Sequence, residues 1–63
     1  MTDLEFMLAM LERAKIAFER SIVDADLQHA GCTELVIERG YVGFVSCLYF
    51  DAAGALVSIE AYE

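Results

Sequence analysis

An α+β fold is predicted for this 63-residue chain by two features: an amphipathic helical run near the N-terminus, and three apolar, β-branched and aromatic stretches in its second half. Short turns ending in glycine separate those stretches. The reading is a single domain, residues 1–63, with the N-terminal helix packed on one face of a three- to four-stranded antiparallel β-meander.

Thr2-Asp3-Leu4-Glu5 has the form of a capping box, in which Thr2 accepts from the Glu5 amide and Glu5 reaches back. Leu4, Met7, Leu8, Leu11, Ala14 and Phe18 then recur at three- and four-residue steps and form one stripe. Glu5, Glu12 and Glu19 mark the solvent side. Phe6, Met10 and Ala17 widen the stripe beyond what one sheet requires, so Phe6 and Met10 are candidates for a second contact.

The helix end has more than one reading. It could run through Ala30 with Gly31 as a left-handed cap. It could also span about 3–15 or 3–20, with residues 16–23 as an edge strand and 24–32 as a loop. Residues 16–23 alternate in a strand-like period, and the β-branched pair Ile22-Val23 disfavours helix.

The three strands are expected at about 33–38, 41–50 and 55–62. Glu38-Arg39-Gly40 and Asp51-Ala52-Ala53-Gly54 read as turns that place glycine at positive φ. Ile37 then faces Tyr41 and Asp51 faces Ala55. Leu35, Ile37, Tyr41, Gly43, Val45, Cys47, Tyr49, Val57, Ile59 and Ala61 share a core face, which Leu4, Leu8, Leu11 and Phe18 should meet. Val36, Val42, Phe44, Leu48, Phe50, Leu56 and Tyr62 form an apolar patch on the other face, rimmed by Glu34, Glu38 and Glu60. That patch, with Phe6 and Met10, is the expected interface.

Hydrophobic content of 59% excludes a disordered tail, and in so small a chain it leaves apolar surface outside the core. Eleven acids against four bases give a net charge of −7, which argues against direct nucleic-acid binding, since phosphate contacts need Lys and Arg. That charge either keeps an adhesive domain in solution or attracts a basic partner. No apolar run approaches the roughly 20 residues of a membrane span, and the N-terminus lacks the form of a signal peptide. The expected location is cytoplasmic.

No cofactor, metal or catalytic residue is expected. His29, Cys32 and Cys47 do not supply the paired short spacings of a structural zinc site. His29 reads as a solvent-facing loop residue, and Cys32 beside it lacks a third orienting group for nucleophilic chemistry. Glu34, Glu38 and Glu60 would need a pocket to perturb them before they could do acid–base work. The chain therefore reads as a non-enzyme.

Gly40-Tyr41-Val42-Gly43-Phe44, then Tyr49-Phe50-Asp51 with Gly54 and Leu56, then Glu60-Ala61-Tyr62-Glu63 form a recognisable cadence. It resembles a set of small proteins of uncharacterised function encoded by tailed phages and prophages. The resemblance covers about half the chain and extends loosely to residues 14–19. It implies a helix that gives way to an edge strand, which favours the shorter helix. It also implies a phage origin and the host cytoplasm as the site of action.

The expected function is a small acidic protein-binding module, most concretely a phage-encoded inhibitor or modulator of a host defence protein that presents a basic surface, acting as a homodimer. The alternative is a homodimeric phage structural or accessory protein without inhibitory role. A small metal-binding protein or enzyme is the least favoured reading.

Overall fold

The computed structural model describes the chain apart from residues 27, 42, 43 and 63, and apart from the side chains of residues 39–41, 44 and 62. Helix α1 spans Asp3–Arg13. It is followed by strands β1 (Glu19–Ile22), β2 (Thr33–Tyr41), β3 (Phe44–Phe50) and β4 (Leu56–Tyr62). The strands form one antiparallel sheet in the order β1-β2-β3-β4, so the fold is the α+β meander the sequence predicts.

The helix begins at the expected capping box. The Glu5 N–H donates to Thr2 Oγ1 (3.1 Å) and the Thr2 N–H donates to Glu5 Oε1 (2.9 Å). The Thr2 N–H and, at 3.0 Å, the Thr2 hydroxyl both donate to the Glu5 carboxylate, which favours its ionised form and holds its pKa below the ordinary value. Two further bonds tie this end to the β3–β4 turn. The Leu4 N–H donates to the Gly54 carbonyl and the Leu56 N–H donates to Asp3 Oδ2, each at 2.9 Å.

At the other end the Lys15 N–H reaches the Glu12 carbonyl (3.1 Å) and the Ile16 N–H reaches the Leu11 carbonyl (2.9 Å). This is a Schellman closure, with Lys15 in the left-handed position at φ 59°. The helix therefore stops at the shorter of the expected lengths, and β1 occupies part of the expected edge strand. A side chain bearing a Cβ is disfavoured at that φ. Lys15→Gly is expected to raise stability by roughly 0.5–1 kcal/mol in urea denaturation. No gain would mean that this closure does not govern the helix end.

The second turn forms as expected. Gly54 has φ 85°, its N–H donates to the Asp51 carbonyl (2.9 Å), and the Asp51 N–H donates to the Ala55 carbonyl (2.9 Å). Asp51 Oδ1 also accepts from the Ala53 and Ala55 N–H groups at 2.9 Å.

The first turn does not form at residues 38–40. β2 runs on through them to Tyr41, which pairs with Phe44, while Ile37 pairs with Ser46 rather than with Tyr41. That is a displacement of five positions along β3 (46 − 41 = 5). An odd displacement exchanges the two faces of a strand. Leu35 consequently lies opposite Leu48, and Thr33 opposite Phe50, so Leu48 and Phe50 point to the helix. A second irregularity, between Tyr49 and Phe50, sets Ser58 instead of Val57 opposite Tyr49 and brings Ile59 opposite Leu48.

The core beneath the helix is Leu11, Leu35, Leu48 and Phe50, with Leu4, Met7, Leu8, Phe18 and Ile37 packed around it. Of the expected helix stripe, Leu4, Met7, Leu8 and Leu11 lie on α1 and meet Leu35 and Ile37, while Ala14 is exposed and Phe18 packs against the core from beyond the helix end. Val45 and Cys47 are not in this cluster, and Val57 and Ile59 are exposed. Cys47 and Tyr49 are buried on the opposite face, where the His29 ring stacks on Tyr49. No buried side-chain polar atom among the described residues lacks a hydrogen-bond partner.

Candidate functional site

The exchange of faces redistributes the expected interface. Leu48 and Phe50 were expected on an exposed patch, but both are buried under α1, Phe50 completely, and cannot meet a partner. Val36 is half-buried on the face away from the helix. It borders an open cleft of about 560 Å³ with Ile16, Phe18 and Glu38. Val42 and the side chains of Phe44 and Tyr62 lie outside the described residues.

Phe6, Met10 and Leu56 are exposed, as the expected interface requires: Phe6 by 56% and Met10 by 49%. The structure adds two residues to them. Ile59 is 65% exposed and Val57 51% exposed, both on β4. Ile59 lies on the helix-bearing face, opposite Leu48, yet at the sheet margin that the helix does not cover.

The helix runs from the β3–β4 turn, where Leu4 and Asp3 are anchored, towards the start of β1. Its sheet-facing stripe is Leu4, Met7, Leu8 and Leu11. Right-handed winding then puts Phe6 and Met10 on the flank nearer β4, and Glu5 and Glu12 on the other flank. The exposed helix flank and the exposed apolar residues of β4 thus lie on the same side of the sheet and towards the same edge. Ile59 was legible in sequence only as a core residue, because alternation alone does not say where a helix stops covering a sheet.

The expected acidic rim does not surround this surface. Glu34 and Glu60 lie half-buried on the opposite face, beside Tyr49. Glu34 accepts from Ser21 Oγ (3.4 Å), and Glu60 accepts from Ser58 Oγ (3.2 Å). Glu38 is exposed at the cleft beside Val36.

His29 is not the solvent-facing residue expected. Its ring stacks on Tyr49 with centroids 4.5 Å apart and planes at 28°, and Nε2 lies 2.7 Å from Glu60 Oε2. An ionised Glu60 carboxylate would accept this bond from an Nε2–H. His29 takes a left-handed backbone, φ 63°, to make these contacts. With Ser21, Asp24, Gln28, Glu34, Tyr49 and Glu60 it lines a shallow cleft of about 470 Å³.

Among the described residues, no group of three or more His, Cys, Asp or Glu side chains is placed to hold a metal ion. Cys47 is buried, and its thiol is pushed up, foremost by burial and then by the Glu34 and Glu60 carboxylates. Such a thiol is a poor nucleophile. With an aromatic disulfide reagent near neutral pH, Cys32 is expected to react in the native protein and Cys47 only on unfolding. Equal rates would place Cys47 at the surface.

No helix among the described residues is long and apolar enough to cross a membrane. Comparison with protein-family profiles, with characterised proteins and with solved structures finds no match to this chain.

Proposed function

We propose that this protein is a small acidic protein-binding module that works as a homodimer, and that it is a phage-encoded inhibitor or modulator of a host defence protein. One observation carries the binding role: Phe6, Met10, Leu56, Val57 and Ile59 are exposed together on the helix flank and β4 of a chain with a net charge of −7. Burying one large apolar side chain stabilises by about 1.5–3 kcal/mol, so leaving five of them in water forgoes much of what a domain this small can gather. Contiguous apolar patches on monomers seldom exceed a few hundred Å². A second copy covers the apolar part, and the acids that remain outside it suit a basic host surface. The phage assignment rests on the cadence of residues 40–63.

Affinity capture from a bacterial host lysate tests the inhibitor role. The tagged protein is expected to retain a host protein with a basic surface at low salt and release it as ionic strength rises. Retention of no host protein would leave the homodimeric accessory protein as the reading, since that role needs only the second copy.

A further inference from the structure

The two edges of the sheet differ. β1 is four residues long and carries Glu19 and Arg20. Short, charged edges resist pairing with another chain. β4 is seven residues long and carries one charged side chain, Glu60, whose carboxylate is engaged by His29 on the face away from the helix. Among the described residues the sheet ends there.

Backbone alternation shows which groups of β4 point outward. In an antiparallel ladder, residues that bond across to one neighbour alternate with residues whose N–H and C=O groups turn to the other side. The Asp51 N–H bonds to the Ala55 carbonyl (2.9 Å), which starts this alternation in the β3–β4 hairpin. Carried through the extra residue at Val57, it makes Tyr49 and Ser58 a bonded pair, and Leu48 and Ile59 a pair whose backbone groups turn away from each other. The far side of the sheet gives the same answer. The Val23 N–H bonds to the Cys32 carbonyl (3.0 Å), so Glu34 and Val36 bond towards β1, Leu35 bonds towards β3, and Leu48 towards β2. Ile59 and Ala61 therefore direct their N–H and C=O groups out of the sheet.

We propose that two copies of this chain join edge to edge along β4, antiparallel about a two-fold axis at Ile59, so that their sheets become one. The proposal rests on the homodimer reading and specifies its edge and register. The axis pairs Ile59 with its own copy and Val57 with Ala61. It sets Glu60 opposite Ser58, so the two Glu60 carboxylates do not face each other across the seam. The axis stands perpendicular to the sheet, so both helices lie on one side of it. Their Phe6 and Met10 flanks turn towards the paired Ile59 side chains, while Glu5 and Glu12 turn away. An axis at Ala61 would instead pair Ala61 with its own copy and carry the two Ile59 residues apart along the seam.

Cysteine cross-linking reads this register. In a Cys32→Ser chain, with Cys47 left in place because it is buried, Ile59→Cys and Ala61→Cys are each oxidised with diamide. Bonded antiparallel partners have Cα atoms about 5.5 Å apart, within the range a disulfide spans. Under this register the two copies of residue 61 are roughly 13 Å apart. Ile59→Cys is expected to give nearly complete covalent dimer, and Ala61→Cys only background. Efficient cross-linking through Ala61→Cys alone would overturn the register. No cross-linking in either variant, with the unmodified chain still dimeric in sedimentation, would overturn the β4 edge and leave the homodimer reading standing. A monomeric unmodified chain would remove both.

Discussion

Phe50→Ala is expected to cost about 3–5 kcal/mol and to leave most of the protein unfolded at 25 °C. The side chain is completely buried, in one cluster with Leu11, Leu35 and Leu48 under the helix. Truncating a buried Phe removes its transfer free energy and leaves a cavity that neighbours fill only in part. Stabilities run at roughly 0.05–0.15 kcal/mol per residue, so a chain of this length has little beyond that amount to lose. Chemical denaturation followed by far-UV circular dichroism measures the cost. If the alternative register held, with Phe50 on the face away from the helix, the loss would resemble that of a surface site, within about 0.5 kcal/mol.

Gly54→Val should be nearly as damaging, for two reasons that add. Gly54 sits at φ 85°, where a Cβ costs about 1–2 kcal/mol. That Cβ would also come within 2.7 Å of the Thr2 Cβ and 2.8 Å of Thr2 Oγ1. Thr2 cannot simply withdraw, because it caps α1 and holds Glu5. The substitution thus strains the turn and loosens the helix start together, where Leu4 bonds to the Gly54 carbonyl. A loss of about 3 kcal/mol or more is expected, against under 1 kcal/mol for Ala53→Val at an exposed turn position. In a Thr2→Gly background the further cost of Gly54→Val should fall but not vanish, since the backbone term remains. Equal effects at positions 53 and 54 would contradict the turn.

These two sites divide what the sequence made legible from what it did not. The β3–β4 turn was readable because its signal is local. Asp51 and Gly54 each have a role in the turn, and few other arrangements use both. The helix start was readable for the same reason, with Thr2 and Glu5 three residues apart. The β2–β3 pairing was misread because Glu38-Arg39-Gly40 resembles a turn, while both parities of the following strand are apolar. Val45, Cys47 and Tyr49 alternate with Phe44, Leu48 and Phe50, so alternation does not choose between registers. Both sides of β3 are needed. One packs under the helix, and the other carries His29 stacked on Tyr49. That second packing depends on His29 meeting Tyr49 and Glu60, which lies 31 positions along the chain. No local pattern announces such a contact.

The candidate surface was legible in part. Phe6 and Met10 stood out as surplus on the helix because a single sheet cannot occupy so wide a stripe, and both are exposed. Leu56 was expected beside them, whereas Val57 and Ile59 read as core because alternation does not say where a helix stops covering a sheet.

The account's central claim is that a second copy of the chain covers the apolar surface formed by the helix flank and β4. Sedimentation equilibrium of the unmodified protein at micromolar concentration tests it most directly. The expected mass is twice the 7.0 kDa of one chain, falling towards 7.0 kDa on dilution or on Ile59→Lys substitution. A mass of 7.0 kDa throughout the accessible concentration range would contradict it.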